Sequence, residues 1–571
     1  MANITESKKV AIKRTRAHGK HSRKGCGTCK IRRVKCDETR PICQRCMKFG
    51  VKCDGYLPDG PGQRHENRTQ PTSGYLSTPL DAAIALLELP NTYSFDSEDE
   101  SQYFSLFRDK TIFQIIPYFD QTPFRTLILQ ACDIPSIRHA VIAIGALDKT
   151  CMTVNDQRAL CFDRHTINPN SHHQNAIKEY TKAIRIMKEE VASGQPSLRT
   201  TLLTCLMIVC FEYFHGNYRL ADAQIHNGIA LVDNWRRSFP YAHQHPLGFS
   251  SPAPDIVEDQ LIQVFGQLEV QSLCFAGDPR TPAMHWQLRN EGTAIIRNMP
   301  ECFDNIYDAK IYQALILRRL QHWQFCIGAN YSPPISRDMD EEKEVWGATS
   351  CVDHSDLRQL SPESGSTVSD RAAQHRFHLE EFHHWKYCFD NFLRKNPEQK
   401  NTLATALLEL CFMTTNLHLS TALAGDATIY DQFTEQFIQI VDHCEKTLVL
   451  LHKKSDQKVV FTFDSGTILP LYFTALSCRV PKIRRRAIGV LLAWPRREGV
   501  SDSLFAGRSA EWIVGIEEEN MEDGYVPGWA RVKYVGTSFS LLNRRAELVC
   551  NQPILTPNGK STRERRQIIT W

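Results

Sequence analysis

The chain has 571 residues, with 68 Lys or Arg against 64 Asp or Glu, and its mild net charge of +4 hides a strong asymmetry. Residues 1–70 carry 18 basic and 6 acidic side chains, whereas the remainder carries 50 and 58, the pattern of a polyanion-binding arm on a near-neutral body. This length exceeds one small module and suggests two to four domains; the longest uninterrupted apolar run of its most apolar stretch, Cys205–Phe211, is far below the roughly 20 residues that span a bilayer.

The N-terminal residues Met1 to Val10 are polar and hold no apolar secretory core. From Lys8 to Lys35 there are 12 Lys or Arg and no Asp or Glu. Residues 1–24 therefore read as a basic arm, suited to a nuclear import signal and to tracking phosphates.

Six cysteines follow at regular spacing: Cys26, Cys29, Cys36, Cys43, Cys46 and Cys53. Cys43, Cys46 and Cys53 repeat Cys26, Cys29 and Cys36 at an offset of 17 residues. Disulfides, an iron–sulfur cluster and zinc are the three chemistries to weigh. Disulfide frameworks belong to secreted domains, which the polar N-terminus does not suggest. Zinc prefers four thiolates in a tetrahedron, so six thiolates serve two ions only if two are shared. Pseudo-symmetry makes Cys26 and Cys43 the natural shared pair. One ion then takes Cys26, Cys29, Cys36 and Cys43; the other takes Cys43, Cys46, Cys53 and Cys26. A module this small buries little core, so metal must supply its stability.

The two halves differ in chemistry. Arg32 and Arg33 of the first correspond to Phe49 and Gly50 of the second, while Val34 and Lys35 match Val51 and Lys52. About one helical turn is expected after each Cys-x2-Cys. In the first half it presents guanidinium groups that can reach guanine O6 and N7 in the major groove. Lys30 and Lys35 suit phosphate contacts, which position without specifying sequence. Phe49 is expected to cover the cluster.

These residues resemble the fungal Zn2Cys6 binuclear-cluster transcription factors. The match holds at every cysteine, at Arg32, Lys35 and Asp37, and at Pro41-Ile42-Cys43; it departs at Lys30, where Arg is usual, and at Arg33, where Lys is common. The resemblance implies two zinc ions, double-stranded DNA with CGG-like half-sites, a nuclear location and a role in RNA polymerase II transcription.

Domain boundaries follow: a basic arm at 1–24, the cluster at 25–56, a linker that is partly disordered at 57–100, and a helical body at 101–571. Asp54 to Gly74 is rich in Pro and Gly among polar residues. No heptad pattern is sustained over three or four repeats, which leaves open whether DNA is bound by a homodimer. Phe95-Asp96-Ser97-Glu98-Asp99-Glu100, ahead of Tyr103, Phe104 and Phe107, reads as an acidic helix start with aromatics entering a core rather than as an activation segment.

Beyond it the period is helical. Pro135 opens one helix; Ile177, Tyr180, Ile184, Met187 and Val191 form a stripe on another; Leu198–Phe214 reads as buried. Further helices are expected at 218–237, 258–275, 308–327, 372–395, 402–424, 428–453 and 481–493. With few segments alternating at period two, the fold class is all-α: the small cluster, a linker and a large body of stacked helix pairs. Three segments resemble the fungal-specific helical regulatory region, namely Tyr103–Arg108, Ile137–Ala143 and Pro495–Gly499. That resemblance implies contacts with co-regulators or the transcription machinery.

No catalytic constellation emerges, so an enzyme is not expected. Fourteen further cysteines read as small buried hydrophobes. Glu380, His384 and Cys388, with His383 beside them, lack a fourth ligand; Gly559-Lys560-Ser561 lacks the earlier glycine of a phosphate loop. Arg484, Arg485 and Arg486 read as a solvated face.

Overall fold

The computed structural model divides the chain into two units, residues 1–76 and 77–571. In the first unit the described residues are 26, 28–29, 34–40, 42–49 and 53. In the second they cover most of 93–571, apart from 154–170, 240–249, 276–279, 327–343, 346–367, 455–460 and shorter gaps. The basic arm, Lys30, Arg32, Arg33 and the segment 54–92 lie outside the described residues, as does nearly all of the polar stretch 353–370.

Helices dominate the second unit, and they begin earlier than residue 101. Tyr93 and Phe95 pack on the first core, and the Ser97 hydroxyl accepts the Glu100 amide to cap the Glu98–Leu106 helix. Its first turn holds Glu98, Asp99 and Glu100, complementing the helix dipole, while Tyr103 and Phe104 are buried. The acid–aromatic segment is thus a capped helix start. The Pro135–Thr153 helix passes so close to it that a Cβ on Gly145 would stand 2.2 Å from the Tyr103 carbonyl oxygen. Only glycine permits that approach.

The Leu198–His215 helix begins at Ser197, whose hydroxyl accepts the Thr200 amide at 3.1 Å. It ends at Gly216, in the left-handed region at φ 99°, where the Gly216 and Asn217 amides both reach the Glu212 carbonyl at 2.8 Å. Among the described residues only this helix is long and apolar enough to cross a membrane, but residues 202–214 are buried within the body. Tyr218–Arg237 and Asp259–Phe275 pack in sequence beside it, completing the first core.

A second core gathers around Ile306–Cys326, Val368–Lys395 and Leu403–Thr421. A third holds Thr434–Lys454, Ile468–Ser477, Pro481–Ala493 and Ser503–Glu518. All the helices expected from periodicity occur, and neighbours in sequence pack as pairs. The third core also carries an antiparallel sheet. Tyr534–Ser540, Arg545–Thr556 and Gly559–Thr570 form a meander, with Glu344–Val345 added beside the first strand. Ala546, Leu548, Cys550 and Gln552 point inward at period two.

Two expected faces are corrected. On the Ser171–Ala192 helix the buried residues are Ala176, Glu179 and Ala183, while Ile177 and Val191 are exposed. Small alanines bring this helix close to Pro135–Thr153, and Glu179 is held inside by His139 and Lys182. Of the three arginines expected on a solvated face, Arg485 and Arg486 are exposed, pairing with Glu518 and with Asp442 and Glu445, whereas Arg484 is fully buried against Glu517 at 2.6 Å. A buried guanidinium persists only where a carboxylate meets it.

Pro495–Gly499 forms the junction of the body. Arg497 donates to the carbonyls of Phe214 at 3.1 Å and Leu541 at 3.2 Å, and pairs with Asp502. Glu498 accepts the Gly466, Thr467 and Ile468 amides at 2.9, 3.1 and 2.9 Å, at the start of the Ile468–Ser477 helix. Arg496 binds the same carboxylate at 2.9 Å.

Candidate metal centre

The cysteine module is built on two local turns related by the 17-residue repeat. In each, the first cysteine acts as a helix cap with sulfur in the place of the usual oxygen. The Cys26 thiol accepts the Cys29 amide at 3.4 Å, and the Cys43 thiol accepts the Cys46 amide at 3.3 Å. Thr28 and Cys29 are helical in the first half; in the second the helix is Gln44–Lys48. The helical turn therefore starts inside the Cys-x2-Cys pair rather than after it.

This folding brings sulfurs together. Cys26 lies 3.7 Å from Cys43 and 3.8 Å from Cys46, and Cys29 lies 3.6 and 3.8 Å from the same two. A tetrahedron with zinc–sulfur bonds of about 2.3 Å has edges of about 3.8 Å, so these separations fit metal ligation. The group is Cys26, Cys29, Cys43 and Cys46: it holds the pair expected to be shared, but it joins Cys29 and Cys46, expected on different ions, and so is neither of the two expected ligand sets. Cys36 is buried beside them, accepting the Cys26 and Glu38 amides at 3.4 Å each, and Cys53 packs partly buried on the same cluster.

Burial and neighbouring thiols push Cys29 up to about 12 and raise Cys26 and Cys46 as well. Packed thiols repel a second negative charge, and a divalent cation reverses that cost by taking them as thiolates. The donor set fits two zinc ions, which Cys26, Cys29, Cys36, Cys43, Cys46 and Cys53 would hold. Zinc in such a closed thiolate site supplies folding energy rather than catalysis.

The sequence pattern alone assigns Asp37 no physical role. Its carboxylate accepts the Arg45 amide at 2.8 Å and the Gln44 amide at 3.1 Å, across the two halves. The Thr39 hydroxyl, followed by these amides, holds it well below the usual carboxylate range. Lys35 is exposed, as a phosphate contact requires, and Val34 packs on the cluster. Phe49 does not cover the cluster. It caps the C-terminus of the Gln44–Lys48 helix with its side chain 68% exposed.

Other candidates resolve differently. His384 contacts Cys388 at 3.5 Å while His383 turns to Asn416, and among the described residues no metal-sized group forms there. Gly559 starts a strand at φ 113°. A group that sequence reading missed joins Glu100, His139 and Glu179. The Lys182 ammonium already sits among them, 2.9 Å from Glu100 and 3.1 Å from Glu179, so it is an ion-pair network.

Comparison with known proteins agrees with this geometry. Residues 24–59 match the model of the fungal Zn(2)-Cys(6) binuclear cluster domain. The chain is 28% identical over 287 residues to the aspercryptin biosynthesis cluster-specific transcription regulator of Emericella nidulans, covering 47% of this chain and 44% of that one. It is 26% identical over 208 residues to a transcription regulator of Purpureocillium lilacinum, covering 36% and 48%. Sterol uptake control protein 2 of Candida albicans is 51% identical over 57 residues, 10% of this chain and 8% of that one. The chain thus spans less than half the length of these relatives in each alignment. No solved structure matches it. The N-terminal module is a fungal Zn(2)-Cys(6) binuclear cluster domain, on a chain similar over part of its length to fungal Zn(2)-Cys(6) transcription regulators.

Proposed function

We propose that this chain is a nuclear, sequence-specific DNA-binding regulator of transcription by RNA polymerase II. The observation that carries the reading is the group of four thiols at tetrahedral spacing inside a segment that matches the binuclear cluster domain. Zinc fixes the first-half turn, Arg32 and Arg33 read bases of a CGG-like half-site, and Lys30 and Lys35 hold phosphates. The basic arm adds sequence-independent attraction. The helical body receives co-regulators or the transcription machinery. Relatives named as transcription regulators support this, as does the concentration of basic residues ahead of Lys35.

The test uses the full chain loaded with zinc and a pool of random duplexes. Selection is expected to enrich CGG-containing sites, single or paired, and the spacing of any pair reports a dimer. The double change Arg32→Ala with Arg33→Ala is expected to abolish enrichment and leave weak, salt-sensitive binding. Unchanged enrichment by that variant rejects the assignment of base reading.

A further inference from the structure

A cleft of about 830 Å³, open mouth included, lies between the Asp259–Phe275 and Ile306–Cys326 helices and the segment around Phe119 and Phe124. Its walls are mostly apolar, with Phe119, Phe124, Val264, Ile311 and Leu315 among them. One cation projects into this lining without an anion in contact. The Lys310 ammonium stands 4.0 Å from the centre of the Phe119 ring and, among the described residues, forms neither a hydrogen bond nor an ion pair. By contrast Arg318, at the far end, is committed to Glu269 and Glu291.

The geometry points to a binding site for a small, largely apolar monocarboxylate, with its tail against the phenylalanines and its head on Lys310. An ammonium in an apolar wall is costly unless an anion meets it. Burial accordingly lowers the affinity of Lys310 for its proton, and the field of Asp464, which lies beyond ion-pair contact, only partly offsets this. The remaining polar groups at the rim are neutral, Gln260 and Gln267 among them, so the cleft offers one uncommitted positive charge. One charge suits a monoanion rather than a phosphate dianion.

Calorimetric titration of the zinc-loaded full chain with decanoate and with decan-1-ol tests this independently of DNA binding. Decanoate is expected to bind about 10- to 100-fold more tightly than the alcohol, the increment of a hydrogen bond to a charged group. Lys310→Met keeps the apolar stem and is expected to bind both compounds alike, with an unchanged unfolding temperature. Ala314→Phe fills the cleft without altering Lys310 and is expected to abolish both. Absence of decanoate binding at millimolar concentration overturns the proposal. So does a preference for decanoate that survives Lys310→Met, or binding that survives Ala314→Phe. If Lys310 serves only to balance Asp464, Lys310→Met lowers the unfolding temperature and leaves the preference intact, which also overturns it.

Discussion

The Asp37 carboxylate receives the Arg45 amide at 2.8 Å, so a residue of the first zinc half-site caps the helix of the second. The helix start it caps also carries Cys43, a thiol expected to serve both ions, as its own N-cap. A carboxylate at this point fixes the register of the halves and complements the helix dipole. Replacing Asp37 with Ala should weaken zinc retention about tenfold, as loss of a group that orients ligands typically does. Asp37→Asn, which keeps an acceptor, should lie between. The check is the rate of zinc transfer to a chromophoric chelator. Equal rates for all three proteins would show that the cap is dispensable.

Lys35 is exposed on the segment between Cys29 and Cys36. If it meets a phosphate, Lys35→Ala should weaken binding almost equally for all DNA sequences. It should also flatten the plot of log affinity against log salt by about one unit. Fluorescence anisotropy across a salt series measures this. A change confined to one base position would instead assign Lys35 to sequence reading.

The zinc module was legible because metal geometry writes itself into spacing: six thiolates cannot serve two tetrahedra at arbitrary intervals. Most helices were legible for a similar reason, since burial of one face imposes a period near 3.6 residues. What was lost depended on partners distant in sequence. Glu179 sits on the buried face of its helix because His139 and Lys182 meet it there, and no local pattern announces that. Arg484 goes inside because Glu517, 33 residues on, is also inside. The C-terminal sheet is masked in the sequence because Gly559–Thr570 carries charge at four successive positions, Arg563, Glu564, Arg565 and Arg566, which hides the alternation. The inward series Ala546, Leu548, Cys550 and Gln552 was the available signal, diluted by a cysteine and a glutamine. An aromatic beside a metal site suggests a lid, whereas Phe49 stands exposed at the end of the Gln44–Lys48 helix.

Glu498 binds three amides at one helix start and the buried Arg496. Glu498→Gln turns one acceptor oxygen into a donor facing donors and leaves the guanidinium uncompensated. A loss of about 3–5 kcal/mol is expected for breaking such a buried pair. Urea unfolding of the full chain, followed by far-ultraviolet dichroism, gives the value. A loss below about 1 kcal/mol would show that Arg496 finds other acceptors, since this is the scale of an ordinary hydrogen bond.

Glu212 links helix burial to pH. It lies within the buried stretch of the Leu198–His215 helix, and the Tyr180 hydroxyl donates to its carboxylate. Burial raises it from 4.5 to about 7 despite that hydrogen bond. The folded chain therefore holds this proton more tightly than the unfolded chain. Its contribution is complete below about pH 4.5 and is lost as pH rises through 7. The span of that change is at most about 3 kcal/mol, at 1.36 kcal/mol for each pH unit of displacement. Glu212→Gln stays neutral throughout and should remove this slope. Its unfolding free energy relative to the parent should therefore climb between pH 5 and 8 and level off above that. Parallel stability curves for the two proteins over this interval would show that Glu212 keeps its ordinary acidity inside the fold.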